Sequence, residues 1–132
     1  MLGVMTKIRV SQAAGLLGVS SDTVRRWIAL ERLTAEKDDT GRTVIAGSEL
    51  AAWAQELANK PQGPQDSSAR NRLTGLVTDI RSDAVMSQVT MQCGPYRIVS
   101  LMSTEAVEDL GLQVGSVARA AIKSTTVIVE KS

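Results

Sequence analysis

A chain of 132 residues with fifteen basic and fourteen acidic side chains carries a formal net charge of +1 at neutral pH. This near balance excludes a general attraction to polyanions, so any nucleic-acid contact must come from local patches. One cysteine and no histidine exclude an internal disulfide and zinc sites built from Cys/His clusters. No apolar run approaches the roughly 18 residues of a membrane span, and the start is too short for a signal-peptide core. We therefore expect a cytoplasmic protein without a membrane partner.

The first predicted elements are two short helices joined by a glycine-containing turn. Ser11 is expected to cap a helix that ends at Gly18, and Ser20 is expected to cap a second helix that runs to about Glu31. Apolar residues recur at helical spacing in both segments, with Trp27 on the inner face of the second. Two helices in this arrangement indicate a helix-turn-helix.

A hairpin and a third helix complete this half of the chain. Residues 38–41, Asp-Asp-Thr-Gly, are a hairpin turn signal between two short strands. A helix is then predicted from Glu49 to about Asn59, with Trp53 on its apolar face. This order is that of a winged helix-turn-helix. The string from Val10 to Ser20, followed by Thr-Val-Arg-Arg-Trp at residues 23–27, resembles the MerR-like and excisionase-type DNA-binding domains.

The resemblance places double-stranded DNA against the exposed arc of the second helix and the tip of the hairpin. The start of a recognition helix meets base edges, and its arginines serve either phosphates or guanine, a choice that spacing alone leaves open. Taken singly, an exposed arginine is as often only solvated, and Asp22 lowers affinity near phosphate. The predicted DNA contacts are Ser21, Asp22, Thr23, Arg25, Arg26, Lys37, Thr40 and Arg42.

A change of composition divides the chain after this unit. Residues 61–67 contain Pro, Gly, Gln, Asp and Ser without an apolar side chain, which is typical of an extended linker. We therefore expect three parts: a winged helix-turn-helix DNA-binding domain at residues 1–60, a Pro/Gly linker at 61–67 and a second domain at 68–132.

The second half predicts short strands and one helix. Strands are expected at residues 73–81, 85–93, 96–102, 117–122 and 127–130, with the helix at 104–110 between the third and the fourth. Ser103 has the position of the N-cap and Gly111 that of the residue ending the helix. Five short strands with one helix suit a five-stranded OB-like β-barrel, so the fold class of the whole chain is α+β.

Two motifs frame this second half. Residues 68–77 read S-A-R-N-x-L-x-G-x-V, and residues 115–127 contain G-S-V followed by A-A-I-K-S-T-T-V. These strings are similar to the opening and the ending of the TOBE (Mop) domain of molbindins, molybdate-responsive transcription regulators and molybdate-importer ATPases. The resemblance implies a barrel whose strands are exchanged between two subunits, hence a homo-oligomer. It also implies a tetrahedral oxyanion ligand, molybdate or tungstate. A metal is then expected to bind only as this oxyanion and not as a bare cation.

The same resemblance implies which residues hold the oxyanion across a subunit interface. Hydroxyl and backbone N–H donors, one arginine fork and one ammonium group are suited to such an anion. Taken singly, both cations are more often ordinary surface charges. Where some molybdate-responsive regulators carry a further serine and arginine, this chain has Ala106 and Asp109, which puts the anion preference in doubt. The implied set is Ser68, Ala69, Arg70, Lys123 and Ser124, with Ser103 from a neighbouring subunit.

These features favour a regulator over an enzyme. The sequence has no nucleophile elbow, no phosphate-cradling glycine loop and no evident acid/base pair. We predict a molybdate- or tungstate-responsive DNA-binding transcriptional regulator, in which the oxyanion bound at the TOBE subunit interface modulates DNA binding. Two alternatives stay open at this point: a molbindin-like cytoplasmic oxyanion storage protein, and a constitutive DNA-binding protein that uses the barrel only to oligomerise.

Overall fold

The structure, a computed structural model, describes residues 6–58 and 67–132. The chain divides into two compact units, one within residues 1–59 and the other within residues 60–132. The predicted linker lies almost wholly outside the described residues. Within the described ranges the fold is a mixed α+β one, with four helices and two antiparallel sheets. None of these four helices has the length and apolar composition that crossing a bilayer requires.

The first unit contains three helices and three short strands. The helices are α1 (Val10–Leu17), α2 (Ser21–Ala29) and α3 (Gly47–Leu57), and the strands are β1 (Lys7–Arg9), β2 (Ala35–Lys37) and β3 (Thr43–Ala46). Strand β3 lies between β1 and β2 and is antiparallel to both. The predicted order of helix, turn, helix, hairpin and helix is confirmed. The pairing of β1 with β3 adds a third strand to the predicted hairpin.

Local capping signals explain most of these boundaries. The Ser20 hydroxyl accepts a hydrogen bond from the Thr23 N–H at 3.1 Å, so the predicted cap of α2 is confirmed. Gly18 ends α1 with a φ of 69°. The predicted Ser11 cap is wrong, since α1 begins at Val10 with Arg9 as its N-cap residue. The reason is that Arg9 is still paired with Val44 in the sheet, so the strand leads directly into the helix.

The hydrophobic core of the first unit draws on all three helices, on β3 and on the loop after α2. The rings of Trp27 and Trp53 pack against it edge to face, with centroids 5.6 Å apart and planes at 72°, which confirms their predicted core role. The buried members of this core are Val10, Ala13, Ala14, Val24, Leu33, Ile45 and Leu50.

The second unit is built on one sheet of four long strands. The elements are β4 (Asn71–Ser82), β5 (Met86–Cys93), β6 (Tyr96–Ser103), α4 (Thr104–Leu110) and β7 (Val117–Ile122). The strand order is β6-β5-β4-β7, and every neighbouring pair is antiparallel. The predicted helix after the third strand is confirmed, with the Ser103 hydroxyl accepting from the Ala106 N–H at 3.1 Å.

The glycine of the opening TOBE-like motif allows a close approach between β4 and β5. A Cβ atom placed on Gly75 would lie 2.5 Å from the Gln92 carbonyl oxygen and 2.6 Å from the Cys93 Sγ. Both distances are too short for real atoms, and the first obstacle is backbone. Glycine is therefore required at this position by packing within the sheet.

The predicted fifth strand, Val127 to Glu130, is not formed, and this prediction is wrong for the single chain. A 3-10 turn at Ser124–Thr126 follows β7, and residues 127–132 belong to neither a helix nor a strand. Ile128 and Val129 are 84% and 90% exposed. A strand needs a neighbouring edge to satisfy its N–H and C=O groups, and this segment pairs with none. The described part of the unit is thus a four-stranded sheet with one helix.

Candidate functional site

Helix α2 has one apolar face and one polar face. Val24 is fully buried, whereas Asp22, Arg25 and Arg26 are exposed on the other side. The Arg25 Nη1 atom lies 3.6 Å from the Asp22 Oδ1 atom, and both side chains are largely in solvent. Such an exposed pair contributes little energy and leaves the guanidinium available to another partner.

The hairpin between β2 and β3 is held by one carboxylate. Asp38 Oδ1 accepts hydrogen bonds from the Thr40 N–H at 2.9 Å, the Thr40 hydroxyl at 2.8 Å and the Arg42 N–H at 2.9 Å. The bond from Arg42 and that from the Thr40 hydroxyl lower the pKa of Asp38. Thr40 was predicted to contact DNA, but its hydroxyl proton is donated to Asp38 inside the turn. Lys37 Nζ donates to the Thr43 hydroxyl at 2.9 Å.

A groove of about 510 Å³ lies between α2 and this hairpin. Two of the predicted DNA contacts, Arg25 and Arg42, line it together with a third arginine, Arg9. Sequence reasoning missed Arg9 because this residue precedes the first helix, so helical spacing could not assign it to an exposed face. Only the pairing of β1 with β3 shows that it lies near the hairpin. We call this the arginine groove; its lining residues are Arg9, Val10, Ser11, Arg25, Ile28, Ala29, Arg42 and Thr43.

In the second unit, the two TOBE-like motifs meet at one end of the β4–β7 pair. Asn71 lies opposite Ile122, and its Nδ2 atom donates to the Ile122 carbonyl oxygen at 3.1 Å. This contact fixes the backbone where the two motifs meet. The next residues outward on the two strands are Arg70 and Lys123, so five of the six predicted oxyanion residues lie at this end of the sheet.

Some of the hydrogen-bond donors at this end of the sheet are already bonded within the chain. The Ala69 N–H donates to the Ser67 hydroxyl at 3.2 Å, and Arg70 Nη1 donates to the Ser67 carbonyl oxygen at 3.2 Å. Ser67 was assigned to the linker by its composition, and its contacts to Ala69 and Arg70 were therefore missed. The side chains of Ser68, Arg70, Lys123 and Ser124 are exposed. They remain available to an anion.

Ser103 lies at the opposite end of the sheet. It pairs with Met86 at the start of β5, and the adjacent Ser87 pairs with Ser82, the last residue of β4. The twelve residues of β4 therefore separate Ser103 from the Asn71 end. One chain does not bring Ser103 to the other five predicted residues.

An open groove of about 800 Å³ lies against this sheet. Its lining is predominantly aliphatic, with Val77, Met91 and Ile98 among the residues on the sheet. An apolar groove does not replace the hydration of an oxyanion, so we place no anion there. Among the described residues, no group of three or more cysteine or acidic side chains could hold a metal ion.

Comparisons with known proteins match both units. Residues 8–58 match a helix-turn-helix domain family and residues 67–129 match the TOBE domain family; these are DNA-binding and ligand-binding domains, not catalytic ones. "Molybdenum-pterin-binding protein 3" of Clostridium pasteurianum is 36% identical over 63 residues, which cover 47% of this chain and 93% of that protein. "Molybdenum transport protein ModE" of Herbaspirillum seropedicae is 41% identical over 63 residues, 47% of this chain and 23% of that protein. A solved molybdate-binding protein from Sporomusa ovata aligns at 30% identity over 51% of this chain and all of that one, with a TM-score of 0.49.

Proposed function

The chain belongs to the TOBE-domain family through residues 67–129, and on that premise we propose that it is a molybdate-responsive DNA-binding transcriptional regulator. Its first unit is a MerR-like winged helix-turn-helix that binds double-stranded DNA. Its second unit binds molybdate, or tungstate with the same shape and charge. The protein acts in the cytoplasm as a homo-oligomer assembled through the TOBE domain.

The observation that carries this proposal is the presence of a helix-turn-helix match and a TOBE match in one chain. A protein that only stores oxyanion has no use for the first, and a constitutive DNA-binding protein has no use for anion donors in the second. The relatives named above are a molybdenum-pterin-binding protein and a molybdenum transport protein, which supports an oxyanion as the ligand.

The DNA-binding part of the proposal uses the exposed face of α2. A recognition helix lies in the major groove with its first residues at base edges, while the hairpin contacts the backbone nearby. In this chain Ser21, Asp22 and Thr23 are at the start of α2, and Arg25 and Arg26 follow on its exposed arc. The hairpin contributes Lys37 and Arg42, while Thr40, which donates its hydroxyl proton to Asp38, fixes the turn.

The oxyanion-binding part requires a second copy of the chain. Ser68, Ala69, Arg70, Lys123 and Ser124 supply a guanidinium fork, an ammonium group, hydroxyls and N–H donors at one end of the sheet. Ser103 is at the other end of the same chain, so a neighbouring subunit supplies it. In this arrangement residues 127–130 pair with a strand of that neighbour and complete the five-stranded barrel. Asp109 on α4 is the feature that weakens the site for a dianion.

The regulatory mechanism is thermodynamic linkage. Anion bound between subunits favours one arrangement of the paired helix-turn-helix units, and DNA favours or disfavours that same arrangement. Because the coupling is reciprocal, the factor by which the anion changes DNA affinity equals the factor by which DNA changes anion affinity.

Calorimetric titration of the full chain with molybdate, tungstate and sulfate tests the ligand. We expect saturable molybdate binding that Lys123→Gln weakens about tenfold or more, since a hydrogen bond to a charged group contributes about 1.5–3 kcal/mol. Lys7→Gln is the matched control, because Lys7 carries the same charge in the first unit and pairs with Glu36. Absence of molybdate binding, or equal effects of the two substitutions, contradicts the proposed ligand site.

A further inference from the structure

We propose that Arg9, Arg25 and Arg42 form one binding groove for DNA phosphates, in which the three arginines fix the position of the protein on the duplex backbone without reading its sequence. This inference rests on the proposed DNA binding and deepens it. It adds Arg9 to the contact surface and assigns Arg25 and Arg42 to phosphates instead of base edges.

The three arginines come from three different elements and line the same groove. Arg9 ends β1 in an extended conformation, with φ −73° and ψ 156°, opposite Val44 of the hairpin. Arg25 projects from the exposed arc of α2. Arg42 immediately precedes β3, and its N–H is held by Asp38 at 2.9 Å. Sheet pairing, helix phase and turn geometry therefore bring three arginines to the lining of one groove.

The three arginines of the groove outnumber the two carboxylates, Asp22 and Asp38, that interact with them. Among the described residues, the three arginines form one ion pair, the exposed contact of Arg25 with Asp22 at 3.6 Å. Asp38 Oδ1 accepts three hydrogen bonds within the turn, and the charge of this carboxylate also interacts with Arg9. Like charges gathered in a concavity repel one another and concentrate anions there. In a chain with a net charge of +1, this concentration is local and not a consequence of overall composition.

The position of the groove favours the DNA backbone over base edges. A phosphodiester strand separates the major groove from the minor groove, and it is the convex ridge between them. If α2 enters the major groove and the hairpin tip lies over the next minor groove, the ridge must pass between helix and hairpin. That gap is the arginine groove. Ile28, Ala29 and Val10 line the groove beside the arginines.

The size of the groove also favours a polymer over a free ion. A volume of about 510 Å³ is much more than one tetrahedral anion fills. Three arginines that line such a groove suit the phosphates of one strand, each of which an arginine fork can bind in a bidentate manner.

Fluorescence anisotropy of the full chain with two labelled duplexes tests this inference. One duplex carries DNA from upstream of the protein's own gene, and the other is a random sequence of the same length. We expect Arg9→Gln to weaken both complexes by the same factor, about tenfold. The slope of log affinity against log salt should also become shallower by about 0.9, the loss of one phosphate contact. Arg9→Lys, which keeps the charge, should recover most of the affinity.

Arg32→Gln is the matched control in the same unit. Its guanidinium lies 6.0 Å from the Trp53 ring centroid and does not line the groove. We expect Arg32→Gln to bind DNA with the same affinity and the same salt slope as the unmodified chain.

The outcomes separate this inference from the proposed function. If the unmodified chain binds DNA and Arg9→Gln binds with the same affinity and salt slope, the inference is wrong and the regulator remains. Weakening of one duplex alone means that Arg9 reads bases, which also overturns it. Loss of molybdate affinity in Arg9→Gln assigns the groove to a free oxyanion and overturns it as well. If the unmodified chain binds neither duplex, the proposed function fails and the inference fails with it.

Discussion

The two units differ in how completely each buries its own apolar side chains. In the first, the largest buried residues, Leu33, Ile45 and Val24, come from the loop after α2, from β3 and from α2. Of the large apolar side chains that are exposed among the described residues, three belong to this unit and thirteen to the second. Extensive apolar exposure marks interaction surfaces. The first unit therefore buries most of its large apolar side chains within itself, whereas the second leaves many of them exposed.

This difference matches the way each candidate site is built. The arginine groove is complete within one unit, since all its lining residues lie between Arg9 and Thr43. The predicted oxyanion site is divided, with Ser103 separated from Lys123 by the length of the sheet. A site that needs a second copy can respond to a ligand by changing how two copies are arranged.

The largest expected effect is the loss of a core side chain from the first unit. Leu33→Ala removes a side chain that is 1% exposed and should lower the free energy of unfolding by about 2–5 kcal/mol. Urea denaturation measures this change, which should not depend on protein concentration because the core lies within one chain. Leu16→Ala, at a position that is 61% exposed, should change the free energy by less than about 0.5 kcal/mol. Equal effects at the two positions contradict the self-contained core.

A smaller effect is expected from an exposed apolar residue of the second unit. Ile128→Asp should leave the single chain folded, because the side chain is 84% exposed, but weaken self-association about tenfold or more by burying a charge at the interface. Sedimentation velocity over a range of concentrations measures the association, and circular dichroism checks the fold. Leu16→Asp, which places the same charge on the first unit, should not change association. Unaltered association of Ile128→Asp argues against a role of residues 127–130 between subunits.

The smallest effect should appear in both units at low pH. Backbone N–H donors, from Arg42 to Asp38 and from Met86 to Asp83, are the first cause of lowered pKa values of these carboxyls. A lowered folded pKa stabilises the fold above the ordinary value of 3.8, and that stability is lost as the pH falls through the folded pKa. Thermal unfolding between pH 5 and about pH 2 should show a shallower loss of stability in Asp38→Asn and Asp83→Asn. Profiles parallel to that of the unmodified chain contradict this role.

Features that depend on a few consecutive residues could be predicted from the sequence. The Ser20 cap, the end of α1 at Gly18 and the hairpin turn at residues 38–41 are each fixed by contacts across two to four residues. The same local reasoning found the two motifs that contain five of the six predicted oxyanion residues, because each motif is continuous in the sequence.

Features that depend on distant pairing could not be predicted in this way. Arg9 joins the arginine groove only because β1 pairs with β3, some 35 residues further along the chain. Ser67 contacts Ala69 and Arg70 although its composition is that of a linker. Residues 127–130 have the sequence pattern of a strand, but a strand forms only where it pairs with an edge, and within one chain this segment pairs with no strand.

The most direct test of the proposed regulator is the affinity of the full chain for DNA measured with and without saturating molybdate. The account predicts a change of about fivefold or more, the lower range of known couplings between sites. It further predicts that Lys123→Gln requires about tenfold more molybdate than the unmodified chain for the same change in DNA affinity. Superimposable binding curves of the unmodified chain with and without molybdate contradict the account.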